Sequence, residues 1–209
     1  SVDGWTNEGV EPVTGYIGNW NRNHQHATAD KVVSNITQLQ GKGDMGISVN
    51  FNTTDQEEIL VRSSVSLVDL NGARNNLQQE LTQPFGWDFE AVVQNSRSIW
   101  NDYLSRIEIE TDDYLHKCKF YTNLYRALAA KAIWSDYDGR YTDEEENIKQ
   151  LPDPERYIVS GEYWNTFWDN QQLFNLMAPE LSETWAHSAI ELYKNSGWYN
   201  TDPAGIEHT

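Results

Sequence analysis

The chain has little with which to cross-link or anchor itself. One cysteine, Cys118, stands among 209 residues, so no internal disulfide can form and a multi-thiolate zinc site is excluded. Cys118 lies in an apolar helical pattern and is expected to act as a small buried hydrophobe. No run approaches the roughly 18 apolar residues of a membrane span, and no signal-peptide pattern opens the chain at Ser1. Positive charge is scarce: 15 Lys and Arg face 32 Asp and Glu, a formal charge of −17. A nucleic-acid backbone or an anionic membrane would be repelled by that balance. A neutral carbohydrate or a divalent cation is compatible with it. Also absent are the GxSxG elbow, the phosphate-binding loop, the dinucleotide fingerprint and the HExxH zinc pattern.

What the chain has in quantity is aromatic surface, with nine Trp and eleven Tyr. Each large ring buries about 150–250 Å² and keeps a polar edge, so the supply is ample for a core. Rings beside polar groups in a cleft also stack on sugar faces, although core is the commoner fate.

Residues 1–45 are polar and rich in Asn and Gly. Within them, the β-branched segment from Lys31 to Leu39 reads as a strand. Ile47, Val49 and Phe51 alternate on one face. The stretch from Glu58 to Val68 is the longest strand candidate, with Ile59, Val61, Ser63, Val65 and Leu67 as the set expected to be buried. Two such strands around Asn52-Thr-Thr-Asp55 suggest an antiparallel hairpin that needs further structure against it.

At Asp69 the period changes from two toward 3.6, which predicts a short helix running to Leu81 and ending before Pro84. From Asp88, a plausible N-cap, a helix is expected to bury Phe89, Val92, Val93, Ile99, Trp100, Tyr103, Leu104 and Ile107. A second helix follows Asp113, with Leu115, Cys118, Tyr121, Leu124, Tyr125 and Leu128 inward. An acidic loop from Ser135 to Glu146 precedes a third helix over Tyr163–Met177. A fourth, from Leu181 to Lys194, stops at Gly197 in a left-handed cap. Helix pairs with long connections fit an α/α toroid better than a tight bundle.

Three constellations invite chemistry. The loop Asp136-Tyr-Asp138-Gly139 resembles a calcium loop, but an EF-hand needs Gly at its sixth and Glu at its twelfth position. Tyr141 and Asn147 stand there instead, so an acidic turn with Asp138-Gly139 at its tip is the better reading. His24 and His26 lack a nearby carboxylate or thiolate to complete a metal site and read as surface loop. Carboxylates abound, and glycoside hydrolysis uses a pair of them. Their spacing identifies no acid or base.

Read in order, the blocks of residues 57–205 resemble glycoside hydrolase family 92, the bacterial exo-acting α-mannosidases. The blocks are Glu58–Val68 with Gly72-Ala-Arg-Asn-Asn-Leu77, Trp87–Val92, Trp100–Ile109, Phe120–Tyr125, Ser135–Tyr141, Trp164–Phe167, Pro179-Glu180 and Gly197-Trp198. The resemblance implies an α+β chain: the C-terminal part of a β-sandwich domain (1–70), a linker with a short helix (71–86), and part of an (α/α)6 toroid (87–209). It implies an inverting hydrolase of terminal α-linked mannose in glycans. Such an enzyme is calcium-dependent, with its acid, base and principal calcium ligands outside this chain. No catalytic or metal-ligating residue is therefore assigned within it. Trp164, Asn165, Asp136, Asp138 and Trp198 are the implied substrate-binding residues. The family's Trp-Asp-Thr-Phe-Arg motif maps onto Trp164 to Trp168, with Asn165 in place of Asp and Trp168 in place of Arg. Asparagine keeps hydrogen-bonding capacity but loses the charge-assisted bond. Periplasmic or extracellular location is also implied. Bared helix faces would make the chain self-associate or pack on the rest of a toroid. A noncatalytic carbohydrate-binding or interaction module is the competing reading.

Overall fold

A computed structural model of the chain describes residues 2–7, 31–39, 44–129, 132–143, 145–153, 157–159, 168 and 170–197. The chain divides into two compact units, Ser1–Ile59 and Leu60–Thr209, and mixes strand with helix.

The first unit holds a three-stranded antiparallel sheet in the order β2-β1-β3. Its strands are β1 (Val2–Asn7), β2 (Lys31–Ser34) and β3 (Asp44–Val49). In register, Asp3 faces Ser34 on one side and Ser48 on the other. The strand expected over Lys31–Leu39 stops at Ser34, because Asn35 turns into the left-handed region with φ 56°, where Asn is among the tolerated residues.

The expected hairpin does not form. The partner of β3 is β1, and residues 51–68 carry no ladder among the described residues, with a turn at Thr54–Glu57 where Gln56 adopts φ 61°. The alternation from Val61 to Val68 is present, but in the opposite phase. Arg62, Ser64, Ser66 and Val68 are half-buried, while Val61, Ser63, Val65 and Leu67 are exposed. A shift of one residue turns every side chain to the other face. Here the phase is set by polar contacts that hydropathy does not register. The Ser66 hydroxyl donates to Asp136. Arg62 donates to the Gly86 carbonyl at 2.8 Å and lies over the Trp87 ring at 3.7 Å, a cation–π distance.

The second unit is mainly helical. Asp69 caps α1 (Leu70–Asn76) by accepting from the Gly72 N–H at 2.6 Å. The helix does not end before Pro84. It continues as a π-helical segment, Leu77–Thr82, into α2 (Gln83–Phe85). The Gln83 N–H bonds to the Gln78 carbonyl and the Gly86 N–H to Thr82, so the ladder passes Pro84 without needing its missing donor. Asp88 and Asp113 cap α3 (Phe89–Leu104) and α4 (Tyr114–Leu128), accepting from Ala91 at 2.9 Å and from Leu115 at 2.8 Å. After a short hairpin, β4 (Arg140–Thr142) with β5 (Ile148–Gln150), come α5 (Asn170–Met177) and α6 (Pro179–Ser196). Gly197 closes α6 at φ 77°, as the sequence predicts. Of the expected helix over Tyr163–Met177, the part before Trp168 lies outside the described residues.

Two apolar clusters hold this unit. Leu124 and Leu128 of α4 meet Phe174, Met177 and Ala178, with Trp100, Tyr103, Leu104 and Ile107 packed against them. Tyr141, Leu151 and Ile158 form the other, beside Trp134. The helix stripes are only partly covered. No residue of α3 is fully buried, and Phe89, Ile99, Leu115 and Tyr125 are exposed. Cys118 is half-buried rather than buried.

Candidate functional site

The densest polar chemistry is in the turn from Ser135 to Tyr141. The Asp136 N–H donates to the Arg140 carbonyl at 2.8 Å, the Gly139 N–H donates to the Asp136 carbonyl at 2.8 Å, and Gly139 adopts φ 82°. That left-handed conformation is open to glycine without strain. The sequence reading of an acidic turn with Asp138-Gly139 at its tip therefore matches the structure.

Asp136 is only 2% exposed, which requires that its carboxylate be fully partnered. Oδ1 accepts from Asn76 Nδ2 at 2.8 Å and Oδ2 from Ser66 Oγ at 2.8 Å. The Arg140 guanidinium adds its charge at 3.8 Å. Asn76 is itself buried at 7% exposure. Its Nδ2 also donates to the Val65 carbonyl at 3.0 Å, and its Oδ1 accepts the Tyr137 N–H at 2.8 Å. Gly72 lies so close that a Cβ there would stand 2.0 Å from Asp136 Oδ2.

Asp138 is half-buried and accepts from Arg140 Nε at 2.9 Å. Arg140 reaches on to Asp69 Oδ2 at 2.8 Å. That guanidinium first, and the Gly72 N–H second, hold the Asp69 carboxyl below the usual carboxylate range. The two carboxylates raise the Arg140 pKa in turn.

Ser66, Asn76 and Asp136 border a cleft of about 550 Å³, lined by Ser63–Leu67, by Ile133–Tyr137 with Tyr157, and by the helical stretch bearing Asn76 and Glu80, whereas Asp69, Asp138 and Arg140 do not line it. The volume is in the range of small-molecule sites. Burial first, and the Asp136 charge second, push the Glu80 carboxyl above its ordinary value. A second, apolar cavity of about 340 Å³ lies among Trp100, Tyr103, Leu128, Phe174 and Trp185. Among the described residues no group of three or more His, Cys, Asp or Glu is placed to hold a metal ion, and no helix is long and apolar enough to cross a membrane.

Residues 72–208 match the model of the glycosyl hydrolase family 92 catalytic domain. The chain belongs to this family. Two solved structures of a family 92 α-mannosidase from Bacteroides thetaiotaomicron are similar at 26% identity and a TM-score of 0.56. One of the two is a complex with mannoimidazole. The match covers 63% of this chain and 17% or 16% of theirs. The family 92 glycosyl hydrolase ccman5 shares the fold at 22% identity and a TM-score of 0.52, over 66% of this chain and 19% of that one. The chain thus spans 16–19% of the length of these solved relatives. No curated protein matches it.

Of the residues that the family 92 resemblance singles out, the structure brings Asp136 and Asp138 into one turn. Trp164, Asn165 and Trp198, like His24 and His26, lie outside the described residues. Sequence reasoning did not find Ser66, Asn76 or Glu80. The available signal was Gly72, a glycine inside a helical pattern, which often marks a close approach of backbone to a neighbour.

Proposed function

We propose that this chain is part of an inverting exo-α-mannosidase that removes terminal α-linked mannose from glycans, itself without the catalytic acid and base. The observation that carries the reading is the family 92 catalytic-domain match over residues 72–208. The mannoimidazole complex of a solved relative supports the sugar class. In this reading residues 1–70 end a β-sandwich, 71–86 link, and 87–209 begin the (α/α)6 toroid. Trp164, Asn165, Asp138 and Trp198 meet the sugar. Asp136 serves the same pocket indirectly, since both its oxygens are engaged by protein donors.

Calcium is the expected cofactor of such an enzyme. The family resemblance implies that its principal ligands lie outside this chain. The apolar faces left open on α3 and α4 support association with further toroid helices or with a second copy. A bacterial periplasmic or extracellular setting completes the reading.

The test is an assay of a polypeptide of the relatives' full length that carries this segment, on an aryl α-mannoside. Mannose release, abolished by a chelator, with no release by the 209 residues alone, is the expected result. Mannoside binding without release would instead favour a noncatalytic carbohydrate-binding module. Release of a different sugar alone would refute the substrate assignment.

A further inference from the structure

The cleft is bordered by three pieces of chain, two of them about 60 and 70 residues from the third, and they meet at one point. Ser66 and Val65 belong to the extended stretch, Asn76 to the end of α1, and Asp136 and Tyr137 to the turn. Four hydrogen bonds of 2.8–3.0 Å join them: Ser66 to Asp136, Asn76 to Asp136, Asn76 to Val65 and Tyr137 to Asn76. Asp136 and Asn76 are 2% and 7% exposed, with their side-chain polar atoms bonded within the chain. Nor does the junction have slack, because a Cβ on Gly72 would stand 2.0 Å from Asp136 Oδ2 and 2.6 Å from Ser66 Oγ. Buried polar groups that lose one partner leave the others uncompensated, so such a junction opens as a unit.

We propose that Ser66, Asn76 and Asp136 form a latch that fixes the separation of the segments bordering the cleft. Asn76 and Asp136 are thereby positioning residues for sugar binding, acting without touching the sugar. The sugar-binding half rests on the mannosidase reading; the mechanical half does not.

Amide hydrogen exchange on the chain itself tests the mechanical half. Ser66→Ala trivially frees the Val68 and Asp69 amides, which donate to Ser66 Oγ at 3.0 and 3.2 Å. The latch predicts that the Tyr137 amide, whose acceptor is Asn76, also exchanges several-fold faster. An effect confined to Val68 and Asp69 overturns it. Asp136→Asn should speed Tyr137 exchange by about tenfold or more, and a folded Asp136→Asn variant with unchanged Tyr137 protection overturns the latch.

In the longer enzyme, Asp136→Asn should raise KM for an aryl mannoside about tenfold with kcat within about threefold. Lost protection with unchanged KM overturns the positioning role. A wild-type enzyme that releases no mannose refutes the mannosidase reading, and the exchange data alone then decide the latch.

Discussion

The stretch Leu60–Val68 and the turn Ser135–Asp143 touch at Asp136, yet they meet solvent in opposite ways. In the first, Val61 is 76% and Val65 82% exposed. In the second, Asp136 is 2%, Tyr141 3% and Asp143 7% exposed. Apolar side chains gain about 25 cal/mol per Å² when covered, but that term names no partner. A carboxylate costs far more to bury, and it can be buried only where donors are already fixed in place. The buried carboxylate of the turn draws its donors from Ser66 and Asn76 and is satisfied within the chain. The stretch has an apolar side with nothing over it among the described residues.

Removing the clearance at the junction should have the largest effect. Gly72→Ala places a methyl group 2.0 Å from Asp136 Oδ2, and we expect a loss of about 3 kcal/mol in urea unfolding, far outweighing the gain in helix propensity of about 1 kcal/mol. Asp136→Ala comes next. It strands the donors of Asn76 and Ser66 and should cost about 2–3 kcal/mol by the same measurement.

Acid should act more gently, and at a defined place. The Asp69 pKa is lower in the fold than its ordinary value, chiefly through Arg140. Its contribution is therefore present above the unfolded pKa of about 4 and lost as pH falls through the folded value. The protection of the Gly72 amide relative to its intrinsic exchange rate, conferred by the Asp69 cap, should fall over that acidic interval and stay level between pH 5 and 7. Asp69→Asn should remove most of the dependence. Smallest of all, Val65→Ser should shift the stability of the chain by no more than about 0.5 kcal/mol, because Val65 is already exposed. A loss comparable to that of Asp136→Ala would erase the contrast between the two regions.

Local signals were legible in the sequence. Asp88 caps α3 as its position before an apolar stripe predicts, and Gly197 ends α6 in the left-handed region. Both depend on the residue itself and its nearest neighbours. The hairpin β4–β5 was not legible, because its strands are three residues each and its acidic connection reads as solvated surface. In the fold, Asp143 organises that connection, accepting from the Asn147 amide at 2.8 Å and pairing with Lys149 at 3.1 Å. The π-helical route past Pro84 was hidden too, since a proline in a helical pattern ordinarily marks an end. The phase of Val61–Val68 failed for a deeper reason. Alternation reports which side chains would gain from burial, whereas the observed side is chosen by Ser66 and Arg62 finding partners 70 and 24 residues away. The candidate site was half legible. Its acidic motif stood out, while Asn76, which joins the three segments, carries no signature of its own.

The claim that the open apolar side awaits a cover is tested most directly by the mass of the chain in solution. Light scattering should give a value that rises with concentration above the 24.1 kDa of one chain, and the rise should weaken once Val61→Asp and Val65→Asp are introduced together. A wild-type chain that stays at 24.1 kDa throughout the concentration range would contradict the claim.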